Sequence, residues 1–191
     1  MAPAALTTPE PNQIYFMKRD DIRHGCGIIG FINTPQQKDV PVYYRLETPQ
    51  AAGQVTRTTV YRNDTEPVAY LNWANGDGLG MATIRDKKDT PMSWLIMRGT
   101  VPNARMFISY DNRKYEWRRM SASPEAYDLY LAPDYRMGTF RRVNSTTPVG
   151  NSYAFMEHII DNEALLLESL VALCINRWID ARPPVNGCAR G

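Results

Sequence analysis

The chain has 191 residues, of which 43% are hydrophobic and 10% aromatic, and its formal net charge at pH 7 is +2. This length suits one domain with a substantial core, and the hydrophobic content excludes a disordered protein. The small net charge excludes the basic excess of a dedicated nucleic-acid binder.

The N-terminal residues 1–12 contain three prolines and no hydrophobic periodicity, which predicts a disordered arm. No basic region precedes a long apolar run there, so we expect no secretory signal and a cytoplasmic protein. The folded part is expected over residues 13–182, followed by a tail at 183–191. The three cysteines are odd in number and predict no disulfide framework.

The first predicted strands are residues 14–17 and 27–32, which are rich in aromatic or β-branched residues and are separated by a charged turn at 18–23. From Pro41 onward apolar and polar residues alternate, which indicates a half-buried strand. We expect one face of this strand to carry Val42, Tyr44 and Leu46, and the other to carry Tyr43, Arg45 and Glu47.

Short strands then follow at hairpin-sized spacing, with turn-forming residues at 48–53, 63–67 and 74–78 between the first of them. This arrangement predicts an antiparallel meander, since the alternation of strands and helices typical of a parallel sheet is absent. The predicted strands are 55–62, 68–73, 81–84, 106–110, 114–120, 127–131, 139–143 and 153–160. In the strand at 114–120, Tyr115, Trp117 and Arg119 are expected on one face, and Lys114, Glu116 and Arg118 on the other.

One interruption of the meander is helical. Thr90 and Pro91 precede residues 92–98, and Gly99 follows them, which is the pattern of a helix of about two turns. We expect this short helix to brace one mouth of a barrel.

The C-terminal segment 161–182 predicts the central helix of the fold. Asp161 is the expected N-cap, and the prolines at 183 and 184 end the helix. Ten of the twelve residues from 164 to 175 are apolar, so the helix is expected to be buried around its circumference. The apolar run is shorter than the roughly 20 residues of a membrane span and contains Glu168, so we predict no transmembrane segment. A closed β-barrel is the simplest structure in which the preceding strands enclose such a helix.

The order of these segments resembles a known family. PVYYRLETP, TRTTVYR, EPVAYLNW, MSWL and ISYDNRKYEWRR followed by the apolar helix are similar to an uncharacterised fungal family, abundant in mushrooms, of the tubby-like superfamily. That superfamily also contains the LURP-one-related proteins and the phospholipid scramblases. The resemblance covers residues 38–182 and implies a closed antiparallel barrel of about twelve strands around the C-terminal helix. It carries over no catalytic motif, and function varies within the superfamily.

Catalytic and metal-binding patterns are missing from the sequence, so no catalytic residue, cofactor or metal site is predicted. His24 and Cys26 lie close together but make only two ligands. His158 and Glu157 fall on opposite faces of a strand, so His158 is expected to be a solvated or hydrogen-bonded structural histidine. Cys174 is expected to be a small buried thiol on the helix.

Glu168 is a carboxylate on a helix that should be buried, which predicts either a raised pKa or a nearby partner such as Arg119. One hypothesis places Glu168 and Trp117 in a pocket at a barrel mouth that binds or modifies a small molecule. The alternative is that Glu168 faces an opening or is ion-paired.

Positive charge is concentrated between residues 92 and 143, where nine Lys or Arg residues stand against five acids. If they converge, they would attract anionic headgroups. The candidate lipid-binding residues are Arg113, Lys114, Arg118, Arg141 and Arg142.

The first functional hypothesis is therefore a non-catalytic tubby-like barrel that binds an anionic lipid such as a phosphoinositide, or a protein partner, at the membrane periphery. The alternatives are the enzyme with a mouth pocket and an interaction or effector domain that acts through its N-terminal extension.

Overall fold

A computed structural model of the chain describes residues 11–17, 25–49, 56–74, 78–87 and 89–182. Thirteen antiparallel strands form one sheet, so the chain is mainly β, with one more strand than the resemblance implies. The strands are β1 (Asn12–Met17), β2 (Cys26–Ile32), β3 (Val40–Glu47), β4 (Arg57–Arg62), β5 (Glu66–Ala74), β6 (Gly78–Ile84), β7 (Thr90–Pro91), β8 (Met97–Arg98), β9 (Ala104–Ile108), β10 (Lys114–Arg119), β11 (Tyr127–Leu131), β12 (Tyr135–Thr147) and β13 (Gly150–His158).

Several predicted elements lie outside the described residues. They are most of the N-terminal arm, the charged turn at 18–23 with the neighbouring His24, parts of the turns at 48–53 and 74–78, and the tail at 183–191. Asn12, the last residue of the predicted arm, belongs to β1 and is 7% exposed.

The strand order is β7-β6-β5-β4-β3-β2-β1-β13-β12-β11-β10-β9-β8. Sequence neighbours pair as antiparallel strands, except β7 and β8, which confirms the predicted meander. The only pair in the described sheet that joins strands distant in sequence is β1 with β13, and β1 pairs with β2 on its other side. The first and last strands of the chain therefore lie side by side in the middle of the sheet, and its two edges come from the middle of the chain.

The helix α1 (Glu163–Asp180) follows β13 almost directly. Its N-cap is Asn162, whose side chain accepts hydrogen bonds from the backbone N–H groups of Ala164 (2.8 Å) and Leu165 (3.3 Å). The prediction of Asp161 as the cap is therefore wrong by one residue. Fourteen consecutive residues, Leu165 to Trp178, are buried, which confirms the expected core helix.

Strands from both halves of the sheet contact this helix. On one side Trp73 of β5 packs on Trp178, with ring centroids 4.4 Å apart. On the other side the indole of Trp117 in β10 donates to the carbonyl oxygen of Ser169 (3.0 Å). The face of the sheet that contacts α1 is its inner face, and the core lies between the two.

A closed barrel is not confirmed, because the sheet is not closed by hydrogen bonds: the edge strands β7 and β8 do not pair within the described part of the chain. Instead a single turn of 3-10 helix, Met92–Leu95, joins them. The predicted helix over residues 92–98 is thus half the expected length, since its second half forms β8. The 3-10 helix ends at Leu95, because Met97 and Arg98 pair with β9.

The inner and outer faces follow the predicted alternation. In β3 the side chains of Val42, Tyr44 and Leu46 are buried, whereas Tyr43 and Arg45 are half-buried and Glu47 is exposed. In β10 Tyr115 and Trp117 face inward as expected, but Glu116 on the opposite face is also fully buried. The pattern therefore placed each side chain on the correct face without revealing what covers the outer face of β10.

Among the described residues no helix has the combination of length and hydropathy that a bilayer span requires.

Candidate functional site

The two edge strands of the sheet are joined by a short connection, and we call the region around it the seam: strands β6 and β7, the 3-10 helix, strands β8 and β9, and residues 109 and 110. The 3-10 helix contacts β6 on one side and β9 on the other. Its Met92 and Leu95 are buried, while Trp94 is 60% exposed. The helix therefore fills the space between two edges that have no ladder of hydrogen bonds in common.

Local sequence explains why the chain turns sharply here. Pro91 has an extended backbone (φ −53°, ψ 129°) that ends β7 ahead of the 3-10 turn. After β8, Gly99 donates its N–H to the carbonyl oxygen of Ala104 at 3.0 Å. A Cβ on Gly99 would lie 2.4 Å from the Cβ of Ala104, so only glycine allows this tight return.

Glu168 of the central helix binds both sides of the seam. On one side its carboxylate accepts a hydrogen bond from Nζ of Lys87 (2.5 Å), a residue that follows β6. On the other side it accepts hydrogen bonds from the hydroxyl of Ser109 and from the backbone N–H of Tyr110 (3.0 Å), and both residues follow β9. The Glu168 side chain is 4% exposed and that of Lys87 43%. The predicted partner of Glu168 is present, but it is Lys87 and not Arg119.

A second buried carboxylate, Asp180, holds the other end of β9 and its neighbours. It accepts bonds from Arg105 of β9 (2.7 Å) and from the hydroxyl of Tyr127 (2.8 Å), and Arg119 lies 3.7 Å away. Burial by itself would raise the pKa of Asp180, but the hydrogen bond and charge of Arg105, with help from Tyr127 and Arg119, lower it. Two helix carboxylates thus anchor the seam side of the sheet.

The outer surface of the seam is unusually apolar. Four of the eight exposed large hydrophobic side chains among the described residues lie there: Met81 (37%), Trp94 (60%), Ile108 (45%) and Tyr110 (46%). Met81 lies on β6 and Ile108 on β9, with the 3-10 helix between the two strands. Exposed apolar groups on neighbouring elements are typical of surfaces that contact a partner or a membrane.

Two of the five predicted lipid-binding residues lie beside this apolar cluster. Lys114 pairs directly across the strands with Ile108 and is exposed, with no bonding partner in the part of the chain that the structure describes. The Arg113 side chain is 65% exposed, and its one ion pair among the described residues is with Asp111 at 3.9 Å. We call Met81, Trp94, Ile108, Tyr110, Arg113 and Lys114 the seam surface.

The other three predicted basic residues are neutralised within the outer face of the sheet. Arg141 pairs with Asp128 at 2.6 Å, and Arg142 pairs with Glu125. Arg118 binds the buried Glu116 at 2.6 Å and stacks on the ring of Tyr130. The five residues therefore do not converge on one site.

Glu116 explains why Arg118 is held so firmly. Its carboxylate accepts bonds from the backbone N–H (2.8 Å) and hydroxyl (2.6 Å) of Thr100 in addition to Arg118. Burial by itself would raise the pKa of Glu116, but the bonds from Thr100 and Arg118 lower it. The turn after β8 thus covers the outer face of β10 with a satisfied polar cluster.

Glu168 and Trp117, the residues of the hypothetical mouth pocket, are both buried, and their polar atoms bond within the fold. Neither residue lines the cleft near the start of α1 or the cleft along the β12–β13 hairpin. Glu168 and Trp117 therefore serve the attachment of the helix to the sheet.

Two further residues behave as structural groups. His158 is 1% exposed, and its Nδ1 accepts the backbone N–H of Ile160 at 3.2 Å. Its Nε2 has no hydrogen-bond partner among the residues described, and burial lowers the pKa of the ring to about 4. Cys174 is a free buried thiol, as expected.

Sequence reasoning missed the exposure of Trp94, Ile108 and Tyr110, because an aromatic or aliphatic residue in a strand is normally assigned to the core. A weak signal existed for Ile108, which alternates with the inward-facing Phe107. For Trp94 the four-residue helix, with Met92 and Leu95 three residues apart, leaves the third apolar residue on the outside.

A comparison with protein-family models matches residues 31–171 to a model described as a family of unknown function (DUF6593). No curated protein and no solved structure matches the chain.

Proposed function

The chain belongs to the family of unknown function DUF6593, and from its geometry we propose that it is a non-catalytic module that binds anionic lipid surfaces through the seam surface. The supporting observation is the combination of a 60% exposed Trp94 with the exposed Ile108–Lys114 cross-strand pair at the junction of the two sheet edges. The proposal includes the peripheral, cytoplasmic location expected from the sequence.

The apolar part of the seam surface suits insertion at the boundary between headgroups and acyl chains. Trp and Tyr favour this boundary, because the ring is apolar while its N–H or O–H stays in contact with polar groups. Trp94 and Tyr110 both have this character, and Ile108 and Met81 add further exposed apolar area on the neighbouring strands. The cluster is too small to anchor a protein by hydrophobic burial alone.

The basic part of the seam surface supplies the second contribution. Each Lys or Arg near an anionic membrane adds about 1 kcal/mol of attraction. Lys114 has no bonding partner among the described residues, and the exposed Arg113 makes one long contact of 3.9 Å to Asp111. Arg118, Arg141 and Arg142 make closer ion pairs with carboxylates of the fold. Two modest contributions, one apolar and one electrostatic, predict reversible binding that weakens with salt.

Two finer features belong to the same proposal. We propose that the sheet curls into a tubby-like barrel, which is supported by contacts from both halves of the sheet to α1 and by the short connection between the edge strands. We also propose that phosphoinositides are among the preferred headgroups, since their high negative charge would favour the Arg113–Lys114 pair. An enzymatic pocket at Glu168 and Trp117 has no supporting contact of its own.

The test is sedimentation of the purified chain with phosphatidylcholine vesicles that contain phosphatidylserine or a phosphoinositide, compared with phosphatidylcholine alone. We expect binding to anionic vesicles at low salt and its loss at high salt. Lys114→Glu should weaken binding by roughly thirtyfold, since two units of charge at about 1 kcal/mol each are reversed.

Matched controls are available on the opposite part of the sheet. Lys38→Glu makes the same charge change at an exposed residue before β3, and Phe31→Ala removes an exposed aromatic ring from β2. Both should bind vesicles like the natural chain. If anionic vesicles do not sediment the protein at low salt, or if Lys38→Glu and Lys114→Glu have equal effects, the lipid proposal is wrong and a protein partner becomes the better assignment for the seam surface.

A further inference from the structure

A separate cleft of about 200 Å³ lies between the first turn of α1 and strands β3 to β5, beside the turn that follows β6. Its floor includes Val68 and the buried Leu167, and its walls carry groups of both charges. The positively charged groups are Arg62 and Arg85. The negatively charged groups are the carboxylates of Glu66, Asp86 and Glu163. None of the residues of the seam surface lines this cleft.

The carboxylate of Glu163 is held in place through one of its two oxygen atoms. Its Oε1 accepts a hydrogen bond from the hydroxyl of Tyr44 (3.0 Å) and forms an ion pair with Nε of Arg62 (2.8 Å). Burial, followed by the charge of Glu163, raises the pKa of Tyr44, which keeps the phenol protonated as a donor. Oε2 of Glu163 accepts no hydrogen bond from any residue that the structure describes, so it remains a fixed acceptor.

Arg85 supplies a free cation at the same cleft. Its backbone lies in the left-handed region (φ 52°) and its N–H donates to the carbonyl oxygen of Val68 at 2.7 Å, which fixes the residue against the cleft wall. The guanidinium makes no ion pair or hydrogen bond within the described part of the chain. It nevertheless lies close enough to the Tyr44 hydroxyl to act on that group electrostatically.

The charge balance selects the chemical class of the ligand. A simple anion drawn to Arg85 would also meet three carboxylates, and a simple cation drawn to Glu163 would meet two guanidinium groups. A small zwitterion satisfies both, with its anion on the free guanidinium and its ammonium on the free carboxylate oxygen. Val68 and Leu167 also line this mostly polar cleft, and its volume leaves room for one short aliphatic side chain.

We infer that this cleft binds a free α-amino acid with an aliphatic side chain, its carboxylate on Arg85, its ammonium on Oε2 of Glu163, and its side chain over Val68 and Leu167. The inference goes beyond the lipid proposal and does not rest on it, because the two sites share no residue.

The test is isothermal titration of the full chain with L-leucine, N-acetyl-L-leucine, which lacks the ammonium, and L-leucinamide, which lacks the carboxylate. We expect L-leucine to bind and each blocked analogue to bind at least about tenfold more weakly, since each leaves one charged group of the cleft unpaired. N-acetyl-L-leucine binding as tightly as L-leucine would overturn the inference, and so would the absence of L-leucine binding.

Arg85→Gln should weaken L-leucine binding by at least about tenfold without unfolding the protein, because the guanidinium makes no ion pair or hydrogen bond with the residues that the structure describes. Arg136→Gln is the matched control, since Arg136 is exposed on β12 and lines neither site. Unchanged binding by Arg85→Gln would also overturn the inference. Lys114→Glu should bind L-leucine normally, so a failure here is distinguishable from a failure of the lipid proposal.

Discussion

The centre of the sheet and the seam are held together in different ways. At the centre, β1 has a hydrogen-bonded neighbour on each side, six register pairs with β13 and four with β2. At the seam the edge strands are two residues long, and the carboxylates of Glu168 and Asp180 on α1 hold the neighbouring segments. The backbone ladder stabilises one side of the molecule, and a few side-chain contacts to the helix stabilise the other.

This difference suggests why the exposed apolar and basic groups are found at the seam. A central strand has both edges occupied, so its residues are committed to pairing and packing. The seam is interrupted by a 3-10 turn, and side chains such as Trp94 point away from the core without breaking a ladder. The region with the fewest backbone constraints is therefore the one available for contact with a partner.

The largest loss of stability should come from deleting the central strands β1 and β2. Deletion of residues 1–37 removes β1 and β2, so β3 and β13 each lose one of their two neighbouring strands. We expect no cooperatively folded protein, as judged by circular dichroism and by urea unfolding. The N-terminal extension of the interaction-domain hypothesis therefore includes the strands β1 and β2 of the sheet. A shorter deletion of residues 1–10, which precede β1, is the control and should remain folded.

At the seam, Glu168→Ala should lower the free energy of unfolding by about 4 kcal/mol, because the buried Ser109 hydroxyl and Tyr110 N–H lose their acceptor and Lys87 loses its partner. Urea unfolding measures the change. Glu157→Ala removes a carboxylate from the outer face at the centre, where its one bond among the described residues comes from Gln13, and should change the free energy by less than about 0.5 kcal/mol. Equal effects would remove the distinction between the two regions.

The centre has its own sensitivity, which is to acid. His158 on β13 is buried and neutral, with a pKa lowered from 6.5 to about 4. Because the unfolded chain binds the proton more readily, the stability from this residue is fully present above about pH 6.5 and is lost as the pH falls through about 4. The loss is on the order of 3 kcal/mol at most.

Unfolding free energies measured across this pH range, for the natural chain and for His158→Met, isolate the contribution of His158. The variant should have the shallower decline, since the remaining carboxylates titrate in both proteins. Parallel declines would show that His158 is not the acid-sensitive group at the centre.

The smallest effect on stability is expected at Trp94. Because its side chain is 60% exposed, Trp94→Ala should change the free energy of unfolding by less than about 0.5 kcal/mol. The same variant should bind anionic vesicles several times more weakly if the ring enters the membrane boundary. A clear loss of stability in urea would instead mean that Trp94 packs within the fold and is unavailable to a partner.

Much of the fold follows from local patterns. The alternation at Val42, Tyr44 and Leu46 and the apolar run from 164 to 175 depend only on neighbouring residues, and both were placed correctly. The site was harder to predict. Arg118 and Lys114 are four residues apart on the same face of β10, yet Arg118 is neutralised by Glu116 and Lys114 stays free, because the turn at Thr100 covers only one of them.

The amino-acid sequence by itself determined the strands, the alternation of their faces and the buried helix, because strand periodicity and helix hydrophobicity are short-range properties of the chain. Only the tertiary structure decided which strands form the edges and which charges are paired. Lys87 and Glu168 are 81 residues apart, and Arg105 and Asp180 are 75 apart. Contacts across such distances depend on the register of every strand in between, and no local pattern specifies them.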